Sequence, residues 1–290
     1  MTVAGFIGNN LTATVEVSAF NGDSGYYPLL TPFPNEGLIM AATFIQGKPL
    51  VCRYRKCLSY SKSNWTSWGS GNGYWEEEFL FRKHRIYPSM VHYSNSEVWI
   101  IGGYQVYNSE EKIRLNSTEL CSLSNKGCKE FVDLPEHQAP LNAIVVNDTH
   151  IFISSLTRLW LFNKDTKNFS IVPNVQEYAR NIGRFLFGLV KGKEIVASRL
   201  KRCYILNLVT LQWRIGPVRP TYLYYASSFQ YENTFILIGD STTKGSKVIL
   251  KFDAENYKWI YLDHQLTENR NTQNSFLIPS NFFSAGNWCN

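Results

Sequence analysis

The sequence predicts an all-β fold assembled from repeated units, and three observations support this fold class. Aromatic residues make up 15% of the 290 residues and charged residues only 18%, a balance typical of pleated, half-buried strands. No long stretch shows the apolar spacing of an amphipathic helix. Short polar turns followed by apolar runs recur at intervals of roughly 40 to 50 residues, which is the length of one β-propeller blade.

The first recurring element is an apolar run that follows a polar turn and ends in small or polar residues. A short apolar run bounded by turn residues is typical of a buried strand. The sequence therefore predicts one buried strand, and one propeller blade around it, for each copy. The copies occupy positions 49–52, 98–103, 151–155, 195–198 and 235–240.

The second recurring element is a polar turn that ends at an aromatic residue. Asn, Asp, Ser and Lys dominate the turn, and these residues are typical of hairpins between neighbouring strands. The segments 162–169, 206–213 and 252–259 share one spacing, with Phe, Trp and Trp at their last positions. Segment 20–27 keeps this spacing near the start of the chain, and 60–65 and 123–128 are variants of it.

These elements together resemble Kelch repeats. The resemblance is carried by Gly102-Gly103 after an apolar strand, by Ser117-Thr-Glu-Leu, and by the recurring Phe-Asn/Asp-x5-Trp unit. It covers nearly the whole chain, although only one copy keeps the Gly-Gly doublet. It implies a Kelch-type propeller, and the pairing of Cys52 with Cys57 is similar to that in secreted invertebrate Kelch-type proteins.

The blade count predicted from these units is six, within a single domain of residues 1–290. A tail strand at 275–283 is expected to pair with N-terminal strands at 3–8 and 13–20, which closes the ring and removes exposed sheet edges. The predicted blades are 38–82, 83–134, 135–177, 178–218, 219–270, and a split blade from 1–37 and 271–284.

Six cysteines predict disulfides. Cys52 and Cys57 form one close pair, and Cys121 and Cys128 form another, each placed to join neighbouring strands or a turn. Neither pair has the CxxC spacing of a zinc site and no His lies at ligand spacing, so disulfides in an oxidising compartment are favoured. By elimination, Cys203 would bond Cys289.

Five Asn-x-Ser/Thr sequons add to the extracellular interpretation. No signal peptide is visible at the start of the sequence. We therefore expect the chain to begin inside a longer secreted precursor, or its N-terminus to be truncated in the gene model. The sequons are at Asn10, Asn64, Asn116, Asn147 and Asn168.

The predicted site lies on the propeller face that carries the blade links and the loops between second and third strands. Tyr104 and Tyr107 belong to the longest such loop, 104–115, and are the first candidate ligand contacts. Arginines at the blade links would offer forked donors to carboxylate or sulfate groups. The favoured alternative is that they bond loop carbonyls, since they recur with the repeat. These arginines are Arg82, Arg85, Arg180, Arg184, Arg219 and Arg270.

The predicted function is a monomeric, non-catalytic binding scaffold for a protein or glycan, with no cofactor and no metal. The five histidines are scattered, and no GxSxG, Walker or zinc-helix motif occurs. No stretch of about 18 apolar residues predicts a membrane span. A nucleic-acid partner would require a denser basic stripe than 82–85 supplies.

Two other function classes are weighed against this one. An intracellular Kelch substrate adaptor of a ubiquitin ligase usually carries a helical oligomerisation domain, and none is visible. A galactose-oxidase-like copper enzyme requires an adjacent Tyr-His pair, which the sequence lacks. Copper binding with peroxide production would revive that third class.

Overall fold

A computed structural model of the protein describes most of the repeat region and short segments near both ends. None of the described residues is helical, and among them no helix has the length and apolarity needed to cross a membrane. The described residues are 2–7, 10–18, 26–27, 41–53, 55–61, 74–106, 112–137, 140–155, 158–173, 185–199, 201–222, 226–238, 248–262 and 274–275.

Five four-stranded antiparallel sheets are each formed by one continuous stretch of chain, and we number them as blades in chain order. Blade 1 contains β4 (Ala41–Ile45), β5 (Lys48–Arg53), β6 (Lys56–Ser61) and β7 (Tyr74–Leu80). Blade 2 contains β8 (Ser89–His92), β9 (Glu97–Ile101), β12 (Thr118–Ser122) and β13 (Gly127–Glu130). Between β9 and β12 the chain forms a two-stranded ribbon of β10 (Tyr104–Val106) and β11 (Lys112–Arg114).

The three later blades repeat the same order of strands. Blade 3 contains β14 (Pro140–Val145), β15 (His150–Ser155), β16 (Leu159–Asn163) and β17 (Phe169–Val172). Blade 4 contains β18 (Leu186–Val190), β19 (Glu194–Arg199), β20 (Arg202–Asn207) and β21 (Trp213–Ile215). Blade 5 contains β22 (Ser227–Tyr231), β23 (Thr234–Ile238), β24 (Ile249–Asp253) and β25 (Lys258–Tyr261).

A further four-stranded sheet, the closing sheet, joins the two ends of the chain in the order β26, β1, β2, β3. In it Thr2 pairs with Ser275 and Val3 with Asn274. Its strands are β26 (Asn274–Ser275), β1 (Thr2–Ile7), β2 (Asn10–Ser18) and β3 (Tyr26–Tyr27).

The first strands of the blades lie side by side around a common axis. β4 contacts β8, β8 contacts β14, β14 contacts β18, and β18 contacts β22. β26 lies between β22 and β4. The structure is therefore an all-β propeller, as the repeat spacing predicts.

The predicted blade count requires a correction. The structure describes five blades with their side chains. The number six is reached only by including the closing sheet, which is described in its backbone alone. The predicted tail strand at 275–283 overlaps the observed β26 at one residue, and 276–290 lies outside the described residues.

The apolar core forms layers between neighbouring blades. Trp99 of blade 2 packs against Phe162 of blade 3 with ring centroids 4.5 Å apart. Phe152 of blade 3 lies 5.5 Å from Phe187 of blade 4 by the same measure. Comparable clusters join blades 1 and 2 and blades 4 and 5. A blade covered on both faces buries every residue of its second strand, as in β23, which explains the uninterrupted apolar runs in the sequence.

The polar turns of the second recurring element are hairpins closed by a side-chain cap. Asn207 Oδ1 accepts the backbone N–H groups of Val209 and Thr210 at 2.8 and 3.0 Å. Asn163 and Asp253 make the same two bonds in blades 3 and 5. The residue four positions after each cap has a positive φ, and these residues are Lys167, Leu211 and Tyr257. The hairpin prediction is confirmed in these three blades.

The aromatic anchors of this element tie neighbouring blades together. Trp213 of blade 4 donates its indole N–H to the carbonyl of Pro173, at 2.7 Å, where the chain leaves blade 3. Trp259 of blade 5 donates in the same way to Pro217, at 3.3 Å, after blade 4. The equivalent residue of blade 3 is Phe169, which has no such donor.

The Gly102-Gly103 doublet lets the blade link approach the end of β9. Gly103 has a φ of +94°, and a Cβ added there would lie 2.8 Å from the carbonyl oxygen of Ile86 in the link. Ile86 and Tyr104 exchange two backbone hydrogen bonds, both of 2.8 Å. The doublet is thus required by backbone conformation and by close approach together.

A Gly103→Ala substitution is expected to lower the free energy of unfolding by about 3 kcal/mol, combining left-handed strain with the clash. Gly192→Ala is the matched control, because Gly192 also has a positive φ but nothing lies within 4 Å of the added Cβ. The control should lose about 1 kcal/mol. Urea denaturation measures both, and equal losses would contradict the close-approach argument.

Candidate functional site

The two ends of the propeller differ in which connections they carry. Because the strands of a blade alternate in direction, loops between second and third strands emerge at the same end as the links between blades. We call this end the link face. The opposite end, which carries the tight hairpins between first and second and between third and fourth strands, we call the hairpin face.

The predicted tyrosine contacts lie in the β10–β11 ribbon of the link face. The ribbon pairs Tyr104 with Arg114 and Val106 with Lys112. Tyr104 is half-buried, and its backbone is held by the link at Ile86. Tyr107 lies outside the described residues. The long loop is thus an ordered ribbon at its base.

Arg85 does not lie on the rim where the sequence predicts a ligand contact. Its side chain is fully buried and forms an ion pair with Glu119 at 2.9 Å. It also donates to the carbonyl oxygens of Gly102 and Ser117, at 2.9 and 2.6 Å. Burial lowers the pKa of the Arg85 guanidinium, and Glu119 opposes this effect. The guanidinium is used to hold blade 2 to its link.

Glu119 completes this contact from the third strand of blade 2. Its carboxylate accepts the backbone N–H groups of Arg82 and Lys83, at 2.7 and 3.1 Å. Those two residues belong to the same link as Arg85. The buried carboxylate therefore fixes the path of the chain between blades 1 and 2, a role that its position in the repeat does not reveal.

Arg219 is also buried and used internally. Its Nη1 donates to Ser198 Oγ and its Nε to the carbonyl oxygen of Thr221, both at 3.0 Å. Its backbone N–H donates to the carbonyl of Lys201 at 2.8 Å. For Arg85 and Arg219 the structure thus favours the alternative of bonding within the fold. Arg82 is exposed, whereas Arg180, Arg184 and Arg270 lie outside the described residues.

Both predicted local disulfides are present. Cys52 pairs with Cys57 and Cys121 with Cys128, and each pair occupies directly opposite positions of two neighbouring strands. The four sulfurs lie in the apolar layer between blades 1 and 2. Glu119, Cys121 and Cys128 cluster closely enough to suggest a metal site. They do not fit one, because both sulfurs are bonded to each other and the carboxylate holds Arg85.

The predicted bond between Cys203 and Cys289 is not supported at Cys203, whose thiol is free and buried. Cys203 packs in the layer between blades 4 and 5, away from the surface where a tail could reach it. Burial raises the pKa of the Cys203 thiol to about 12. Cys289 lies outside the described residues.

The sequons are divided between the two faces. Asn147 and Asn168 are exposed in hairpins of blade 3 on the hairpin face. Asn116 is half-buried on the link face, and Asn10 is the first residue of β2. Asn64 lies outside the described residues. Glycosylation itself stays a prediction.

The link face carries a group of cations that the sequence reasoning missed. The turns between second and third strands read Arg53-Tyr-Arg-Lys-Cys57 in blade 1 and Arg199-Leu-Lys-Arg-Cys203 in blade 4. This repeated pattern was a readable signal, but the cysteines drew attention from it. The ribbon adds Lys112 and Arg114 from blade 2. We call the exposed members the cationic rim: Arg55, Lys56, Arg82, Lys112, Arg114, Arg158 and Arg202.

Acidic residues are few in the described loops and links of this face. They are Asp133 and Glu136, of which Glu136 lies 3.4 Å from Arg158. A Lys56–Glu77 pair of 2.8 Å reaches the rim from the outer strand of blade 1. Most of the rim therefore presents uncompensated positive charge to solvent, which attracts anionic partners.

The hairpin face has a different charge pattern. Lys126 lies 3.2 Å from Glu76, and this carboxylate raises the pKa of the lysine. Arg214 lies 3.1 Å from Glu194, whose other oxygen accepts the Tyr257 hydroxyl at 2.7 Å. Positive and negative groups alternate at this end. The net charge of the chain is +6, and the link face contributes much of it.

One histidine lies on the innermost strands. His92 Nε2 of blade 2 is 2.8 Å from Thr43 Oγ1 of blade 1. Burial lowers the pKa of His92 from its usual value. The neutral imidazole thus bridges two blades, and the contact is explained by packing.

No protein-family model matches the chain, and no curated protein matches it. Among solved structures, that of YjhT is similar with a TM-score of 0.64 over 85% of this chain and 89% of that chain. The fold is a β-propeller. At 11% identity the likeness bears on the fold alone, and it leaves the Kelch resemblance a prediction.

Replacing Glu119 with Ala should lower the free energy of unfolding by about 3 to 5 kcal/mol, because Arg85 would remain buried and unpaired. The measurement is chemical denaturation. Glu76→Ala, which removes the exposed partner of Lys126, is the control and should leave the midpoint nearly unchanged. A small effect of Glu119→Ala would show that the link does not depend on this ion pair.

Cys203 predicts a loss of stability at alkaline pH. In the unfolded chain the thiol ionises near its ordinary pKa of 9.0, whereas in the fold it ionises near 12. The contribution is complete below pH 9 and falls by about 1.4 kcal/mol per pH unit as pH rises toward 12. Unfolding curves between pH 8 and 10.5 should therefore differ in slope from those of Cys203→Ala. Parallel curves would contradict the buried thiol.

Proposed function

We propose that this protein is a non-catalytic binding scaffold, a six-bladed propeller of Kelch type that engages a protein or glycan through its link face outside the cell. The observation that carries the proposal is the cationic rim. Rigid sheets hold seven exposed cations at the loops and links of one end, and binding residues are concentrated on loops positioned by such scaffolds.

The blade count in this proposal rests on the closing sheet. β26 lies between β22 and β4 and pairs with β1. Counted as a blade, this sheet leaves no gap in the ring of first strands. Closure protects the strand edges that an open array would expose.

The Kelch assignment rests on local features rather than on relatives. The Gly102-Gly103 doublet receives the incoming blade link, and the hairpin with its tryptophan anchors one blade on the next. These features account for the residues that carry the resemblance. They are structural, so they support a repeat type and no particular ligand.

The extracellular setting is supported by the two disulfides and the sequons. Disulfides persist in oxidising compartments and are rare in reducing ones. Two of them cross neighbouring strands of this propeller. Asn147 and Asn168 are exposed and accessible to glycosylation.

The compartment is tested by secreting the chain from insect cells behind an added signal peptide. Intact mass is measured with and without glycosidase, and with thiols alkylated before and after reduction. We expect glycan mass and two protected disulfides. An unglycosylated, aggregated or fully thiol-reactive product would overturn the extracellular proposal.

Use of the link face is tested by masking it with a glycan. Lys112→Asn combined with Arg114→Thr creates a sequon on the β10–β11 ribbon. Binding of the secreted protein to animal-cell surfaces should then be lost. Asn168→Gln, which removes a sequon from the hairpin face, is the control and should bind as the parent does. Equal binding by all three proteins would exclude the link face.

A further inference from the structure

We propose that the cationic rim binds a linear sulfated polysaccharide. This inference rests on the proposed function and names the chemical class of its ligand. It is carried by the position of the cations in the repeat, by the scarcity of acidic residues beside them, and by the arrangement of the exposed apolar residues on the same face.

The cations lie at equivalent places around an arc of neighbouring blades. Arg55 and Lys56 occupy the turn of blade 1, Arg114 the ribbon of blade 2, and Arg202 the turn of blade 4. Sheets packed face to face are about 10 Å apart, so charged groups repeat at intervals of at least this size. Such a row fits a polymer that carries an anionic group on successive units better than it fits one small anion.

The energetics favour a polyanion. Each exposed cation that meets a charged polymer releases a counterion condensed on that polymer, and the gains accumulate over several contacts. A single carboxylate or phosphate at an exposed site gains little, because solvent and salt screen it. Arg55, Arg114 and Arg202 further offer planar, forked donors that match the oxygens of a sulfate group.

The apolar residues of this face argue against a protein partner. Stable protein interfaces usually centre on a cluster of aromatic and apolar anchors with charge at the edge. Here the exposed side chains Tyr87, Ile113, Val218 and Tyr222 are divided between two distant blade links and the ribbon. Lys201 lies over the ring of Tyr222, with its Nζ 4.8 Å from the centroid. Isolated tyrosines beside cations suit sugar rings.

A nucleic acid is disfavoured by the disulfides. Cys52–Cys57 and Cys121–Cys128 indicate an oxidising compartment, where sulfated polysaccharides are the abundant linear polyanions. The proposal therefore commits to sulfate on a sugar chain. Acidic polypeptide and nucleic acid are outcomes of the test.

The test measures binding of the secreted protein to heparin, to heparin freed of sulfate, to polyglutamate and to single-stranded RNA. We expect heparin to bind at physiological salt and removal of sulfate to weaken binding at least tenfold. The logarithm of the dissociation constant should rise steeply with the logarithm of salt concentration, by about one unit for each contacting cation. Equal binding after removal of sulfate, or tighter binding of polyglutamate or RNA, would overturn the proposal.

The contacting face is tested with two triple variants of equal charge. One variant changes Arg82, Lys112 and Arg114 to Gln on the link face. The control changes Lys129, Lys193 and Lys258 to Gln; these are exposed residues of an outer strand and of the hairpin face. The first should bind heparin at least tenfold more weakly, with a salt slope reduced by about three units. The control should bind within about twofold of the parent, and thermal unfolding confirms that both variants fold.

Failure of this inference is distinguishable from failure of the proposed function. If both triple variants lose affinity equally, the binding is a general charge effect and the inference is wrong. If cell-surface binding survives removal of heparan sulfate by heparinase, yet the ribbon glycan still abolishes it, the link face binds another partner. In that case the scaffold proposal stands and the sulfated ligand is rejected.

Discussion

The structure depends on the apolar layers between neighbouring blades. Each blade is a sheet that is apolar on both faces, so it gains stability only when another blade covers each side. Trp99 and Phe162, or Phe152 and Phe187, belong to different repeats and have no apolar partners of this kind within their own blade. An open stack of such sheets would leave two apolar faces in water. The pairing of β26 with β1 follows from this constraint, because it brings a further sheet between the first and last blades.

Polar groups then set how each blade is oriented on the next. Trp213 and Trp259 donate to carbonyls where the preceding blade ends, and the Arg85–Glu119 pair holds a link against the second and third strands of blade 2. Unpaired, these groups would each be costly to bury, so they specify one arrangement of the layers. Residues that recur with the repeat are largely occupied in this way. Functional side chains are therefore to be sought where loops project beyond the repeat.

The cationic rim illustrates this separation. Arg85 and Arg219 recur at the links and are buried, whereas Arg55 and Arg202 lie one turn away and face solvent. The same guanidinium chemistry stabilises the fold in one place and is open to a ligand in the other. What differs is the number of backbone carbonyls within reach. A buried arginine is satisfied by them, and an exposed one keeps donors for an external anion.

The sequence by itself determined the features that depend on neighbours close along the chain. The hairpins at Asn163, Asn207 and Asp253 are set by a side chain that bonds backbone groups two and three residues on, and both disulfides join cysteines within seven residues of each other. The spacing of the repeats likewise predicted a propeller. Tertiary structure decided the features that depend on distant segments. Glu119 meets Arg85 across 34 residues, and Cys203 is buried by side chains of the following blade. The cationic rim is one surface only because the ring brings separate turns to the same end. Burial and charge at such positions are properties of packed layers, which a linear pattern of residue types does not contain.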